Sequence, residues 1–152
     1  MATLAIPTQE ILMQLDPAPQ PVRILSISPA VEDHRALNRM LNGPRWNIST
    51  ANSCLDAMVE LAKGPVEIAI CERDLPDGDW RDMLRCLGGC PEPPSLIVTS
   101  RVADGFLWAE VLNLGGFDVL AKPFDGNEVG RVVDSAARHR RKPSSRAWAS
   151  GA

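Results

Sequence analysis

The feature that most constrains this chain is the run Val66-Glu67-Ile68-Ala69-Ile70-Cys71, which ends on the carboxylate of Glu72 and is followed by a Pro76-Asp77-Gly78 turn. An apolar run of this length between turn residues reads as a strand buried on both faces, as in a parallel sheet. Helices must cover both faces of such a sheet, and the flanking sequence has to supply them.

It does so in order. Val22 to Ser28 is a strand, and Pro29 stands near the start of a helix, where its missing N–H costs least. That helix runs to about Leu41 with Leu37, Met40 and Leu41 inward, and Asn42-Gly43-Pro44 stops it. Trp46 to Thr50 alternates as a second strand. A helix from about Cys54 to Lys63 puts Leu55, Met58, Val59 and Ala62 on one side, and Gly64-Pro65 ends it. The strand over 66–71 comes third. Trp80 to Leu87 is helical, closed by Gly88-Gly89 and by Pro91, Pro93 and Pro94. Ser95 to Thr99 is a fourth strand, and Asp104 to Leu114 a helix with Leu107, Val111 and Leu114 in line. Phe117 to Ala121 is a fifth strand leading into Lys122-Pro123-Phe124. The last helix spans about Asn127 to Arg138, with Val129, Val132, Val133 and Ala136 as its stripe. Strands alternating with helices over short connections predict an α/β fold with a doubly wound parallel sheet, one domain over 22–138.

Before it, residues 1–21 carry Pro7, Pro17, Pro19 and Pro21 around Gln9 to Leu15, where Ile11, Leu12 and Leu15 form one stripe over two turns. Such a segment is too short for a stable helix alone. Two readings are open: a mobile tail, or a segment that docks on its own domain or on a second copy. Residues 139–152 carry Pro, Ser, Gly and Ala and are expected to be a disordered tail with no output domain after it.

Composition excludes several classes. The net charge is -3 and the pI about 5.4, which gives no reason to expect nucleic acid or an anionic membrane as partner. The basic cluster from Arg138 to Lys142 reads as a solvated helix end. Cysteines at 54, 71, 86 and 90 form no C-x-x-C pair, so neither a zinc site nor a disulfide framework is expected. No apolar run approaches the roughly 20 residues of a membrane span, and the first residues lack the basic start and long apolar middle of a signal peptide, so none is expected. The expected location is the cytoplasm. His34 and His139 read as lone surface histidines.

In open α/β sheets chemistry sits past the carboxyl ends of the strands. There the fold brings together Ser28, Glu72, Thr99 and Lys122: two hydroxyls, a carboxylate and an ammonium. In order and spacing, the Ile24-Leu25-Ser26-Ile27 strand, Glu72 with Leu75-Pro76-Asp77-Gly78, Thr99-Ser100, Gly115-Gly116-Phe117-Asp118 and Lys122-Pro123-Phe124 resemble a response-regulator receiver domain of two-component signalling. The resemblance covers about three quarters of the chain. It implies a flavodoxin-like five-stranded sheet of order 2-1-3-4-5, and a cis bond between Lys122 and Pro123.

The departures from that family carry the functional expectation. Receivers have two acidic residues where this chain has Ser28 and Pro29, a phosphoacceptor Asp where it has Glu72, and usually an aromatic switch residue where it has Val119. Lys122 and Thr99 are kept. Mg²⁺ takes one or two carboxylates along with waters and phosphate. With Glu72 the only carboxylate at the inherited positions, and Glu32 and Asp33 expected to point away, Mg²⁺ binding is expected to be weak or absent. Glu also moves its oxygen by roughly 1 Å, a displacement worth about a hundredfold in rate. The expectation is a non-catalytic pseudo-receiver that is not phosphorylated and acts by binding. Glu72 either mimics part of a phosphorylated state or pairs structurally with Lys122. A working Mg²⁺-dependent phosphoacceptor is the rival, and a flavodoxin-like small-molecule binder lacks its phosphate loop after the first strand. Expected partners are a histidine kinase, an output protein or a second copy. Phe106 and Trp108 are the interface candidates, with two readings open: an exposed pair, or one buried and the other resting on a neighbouring helix. Trp80 is expected to shield Glu72.

Overall fold

The computed structural model describes residues 20–140. It begins with β1 (Val22–Ile27), α1 (Val31–Met40), β2 (Trp46–Ala51) and α2 (Cys54–Ala62). β3 (Ile68–Glu72), a hairpin of β4 (Asp74–Leu75) and β5 (Gly78–Asp79), and α3 (Trp80–Gly88) follow. β6 (Ser95–Ser100), α4 (Gly105–Leu114), β7 (Asp118–Ala121) and α5 (Gly126–Arg140) complete it. The expectations for residues 1–19 and 141–152 lie outside the described residues. Among those described, no helix is long and apolar enough to cross a membrane.

The five longer strands form one sheet in the order β2-β1-β3-β6-β7, and every neighbouring pair is parallel. Counting only those strands, this is the order 2-1-3-4-5 of a flavodoxin-like α/β fold. Alternate residues of a strand point to opposite faces, and the sheet builds two cores that way. Leu25, Ile27, Cys71 and Val98 pack with Ala57, Trp80, Met83, Leu107 and Val111 under α2, α3 and α4. Ile24, Ile70, Ile97 and Leu120 pack with Leu37, Val129, Val132 and Val133 under α1 and α5.

Three stretches differ from expectation. On α2 the buried side chains are Cys54 and Ala57, while Leu55, Met58 and Val59 are 68%, 51% and 52% exposed. β2 is the edge strand, so a helix lying over it has sheet beneath only a narrow strip, and small residues fill that strip. On α4, Leu107 and Val111 are buried but Leu114 is exposed, because the helix ends there and Gly115 turns the chain at φ 106°. α5 runs to Arg140, two residues past the expected end and into the segment read as tail. His139 packs its ring on Phe117 at 5.7 Å, and Arg140 bonds the carbonyls of Glu92 and Pro93.

The turn after β3 is more than a connection. Asp77 accepts from the backbone N–H of Cys54 at 2.8 Å and of Leu55 at 3.0 Å, capping α2 from a distant loop. Two residues on, Asp79 caps α3, with Asp82 returning the bond in a capping box. Gly78 sits between them because a Cβ there would meet Asp82 Oδ2 at 2.7 Å and Cys54 Sγ at 3.0 Å.

Candidate functional site

Parallel register delivers the site. Glu72, last residue of β3, lies opposite Thr99 on β6. β7 ends at Ala121 opposite Ser100, and the next residue, Lys122, donates its N–H to the Ser100 carbonyl at 3.0 Å. The bond from Lys122 to Pro123 is cis.

The side chains then meet as the strand ends require. Lys122 Nζ lies 2.5 Å from Glu72 Oε2 and 2.8 Å from Asp33 Oδ2. Thr99 donates its hydroxyl to the same Glu72 oxygen at 2.9 Å, and Ser28 donates its own to Asp33 Oδ2 at 2.6 Å. The lysine, aspartate and glutamate side chains keep only 8%, 11% and 16% exposure. Burial pulls the Lys122 ammonium down, but its hydrogen bonds to Asp33 and Glu72 and their charges outweigh this and hold it above the ordinary lysine range.

Asp33 corrects the sequence reading, in which it pointed away with Glu32. Glu32 is exposed, whereas Asp33 is buried and adds a second carboxylate to the pocket. The reason is where the helix starts. α1 is capped at Ala30 and opens at Val31, so Asp33 falls in its first turn, above the crevice, instead of further along. Pro29 is exposed in the loop between.

His34 is likewise a correction, buried and not at the surface. Its Nε2 donates to the Ser28 carbonyl at 3.0 Å, so that nitrogen carries a proton. Its Nδ1 lies 2.8 Å from the Ser26 hydroxyl. The ring thus ties β1 to the loop that positions Ser28. The short return from Ser28 to Val31 was the one signal in the sequence for both residues: a loop that brief leaves the first helical turn facing the strand ends.

Trp80 is fully enclosed in the core, with the Arg81 guanidinium 5.0 Å from the ring centroid. The interface candidates are settled in favour of exposure on both sides: Phe106 is 90% and Trp108 50% exposed. Trp108, Gly105, Val119, Ala121 and Glu128 line a cleft of about 270 Å³ between α4, β7 and α5. Among the described residues no three His, Cys, Asp or Glu side chains gather as a metal site would need. Burial, first, and then the Asp77 carboxylate push the Cys54 thiol up to about 11, leaving it neutral and unreactive at pH 7.

No protein-family model matches this chain and no curated protein matches it. Solved structures do. One is the signal receiver domain of an HD domain-containing protein from Pseudomonas fluorescens Pf-5, at 22% identity and TM-score 0.76, covering 88% of this chain and 98% of that one. A two-component response regulator from Clostridium difficile matches at 20% identity and TM-score 0.71, over 80% of this chain and 99% of that one. The chemotaxis response regulator CheY4 of Vibrio cholerae matches at 12% identity and TM-score 0.69, over 76% and 98%. The fold is that of a response-regulator receiver domain. At these identities the likeness is one of fold, and in the receiver fold the crevice past β3, β6 and β7 is where Glu72, Thr99 and Lys122 stand.

Proposed function

We propose that this protein is a receiver-fold signalling module that takes up no phosphate and works by binding another protein in the cytoplasm. The observation that carries this is the position of Lys122 Nζ between two carboxylates, 2.8 Å from Asp33 and 2.5 Å from Glu72. Glu72 stands at the phosphoacceptor position that the resemblance implies. The ammonium holds one oxygen of each carboxylate, so a divalent ion would have to compete with it for the charge of both groups. A pocket whose two carboxylates are already paired with a buried ammonium attracts Mg²⁺ poorly, and without a cation and an aligned nucleophile phosphoryl transfer has little to work with.

Thr99 and Lys122 both engage Oε2 of Glu72. The carboxylate thereby makes permanently, with about one charge, contacts that a phosphoryl group of about 1.5 to 2 charges would make transiently. Val119, with no ring to swing, fits a surface that does not alternate. The binding face is α4–β7–α5, where Phe106 and Trp108 stand out beside the cleft. A kinase, an output protein or a second copy of this chain would each meet exposed aromatic rings there, beside a cleft that Asp104 and Glu128 share with apolar side chains.

Titration with beryllofluoride and Mg²⁺, followed by tryptophan emission, tests the closed pocket. The expected result is no saturable change that depends on Mg²⁺; such a change would overturn the proposal.

A further inference from the structure

We propose that residues 9–15 of this chain dock as a short helix on the outer face of α2. That face is an apolar stripe that neither core nor crevice uses. Leu55, Met58, Val59 and Ala62 stand at helical spacing i, i+3, i+4, i+7 and all four are exposed. The segment before the domain offers the matching element, Ile11, Leu12 and Leu15, spaced for one face of two turns.

Position favours this occupant. α2 lies over β2 and β1, and its far end lies beside the start of β1. There the Arg23 guanidinium comes within 3.1 Å of where a Cβ on Gly64 would stand, and Glu67 donates its N–H to the Arg23 carbonyl at 2.9 Å. The chain preceding Val22 therefore leaves on the side of the sheet where α2 ends. From Asp16 to Val22 the proline-rich connection spans up to about 19 Å at roughly 3.1 Å per residue. The stripe from Leu55 to Ala62 is about 10 Å long at 1.5 Å per residue. The linker reaches all of it. The other apolar face, on α4, lies over the opposite end of the sheet, beyond β3.

Size favours it too. A stable contact with a separate protein buries about 800 Å² per partner, more than four side chains of one helix offer. A tethered segment meets the same stripe at an effective concentration in the millimolar range, enough for a small contact. The contact in turn supports a two-turn helix that would not form alone.

Amide hydrogen exchange on the full-length protein tests this. In the unaltered protein residues 9–15 should exchange about tenfold or more slowly than residues 2–6, at every protein concentration. Val59→Asp, a change at an exposed position, should abolish that difference while protection of β3 and β6 persists. Leu112→Asp on α4 should leave it intact. Any other pattern overturns the proposal: no slowing in the unaltered protein, slowing that survives Val59→Asp, loss on Leu112→Asp, or slowing that grows with concentration, which would mark a second copy.

Discussion

Lys122 is the residue on which the crevice turns. Three nearly buried charges meet there, two negative and one positive. Taking an ammonium out of water costs several kcal/mol, and the geometry has to return it. Here each carboxylate contributes a close contact, and Ser28 and Thr99 supply hydroxyl donors to the same two oxygens that the ammonium touches. Lys122→Met would leave Asp33 and Glu72 as uncompensated neighbours, and should destabilise the protein by about 3 to 5 kcal/mol in urea unfolding. The pH dependence follows from the raised ammonium. Its contribution is fully present below the unfolded lysine value of 10.5 and is lost as pH rises through the higher folded value. Unfolding midpoints should therefore fall on the alkaline side of pH 10.5 in the unaltered protein, and this component of the fall should be missing in Lys122→Met.

At the scale of elements, the loop after β3 is what ties the crevice to the helices. Asp77 caps α2 and Asp79 caps α3, so the hairpin after Glu72 anchors two helix N-termini at once. Burial pushes the Asp79 carboxyl up, but the N–H groups of Asp82 and Arg81 and the Arg81 guanidinium pull it further down, below the usual range. That contribution is present above pH 3.8 and is lost as pH falls through the folded value. Asp79→Ala should cost about 1 kcal/mol, as for other N-cap losses, measured as a shift in the urea midpoint with unchanged slope. The hairpin was visible in the sequence only as a Pro-Asp-Gly turn, since two-residue strands have no periodicity to read. The helix faces were legible where a helix sits over the middle of the sheet, as α5 shows with Val129, Val132, Val133 and Ala136 all buried. On α2 periodicity marked the apolar stripe correctly but could not say which way it faced, because that depends on β2 being the edge.

For the whole molecule, the order of five strand-forming runs and the turn residues between them was enough to give sheet, topology and the convergence of Glu72, Thr99 and Lys122. Those are properties of strand ends, and strand ends are set by sequence position. Asp33 and His34 were not legible in the same way, since a shift of about two residues in where α1 begins decides whether they face water or the crevice. That small shift also changes the chemistry, from a pocket with a lone carboxylate to one whose two carboxylates are already bridged. The account therefore stands or falls on whether the bridged pocket stays closed to phosphate. The direct measurement is the intact mass of the protein after incubation with acetyl phosphate and Mg²⁺. An unchanged mass is predicted, and a gain of one phosphoryl group that maps to Glu72 would contradict it.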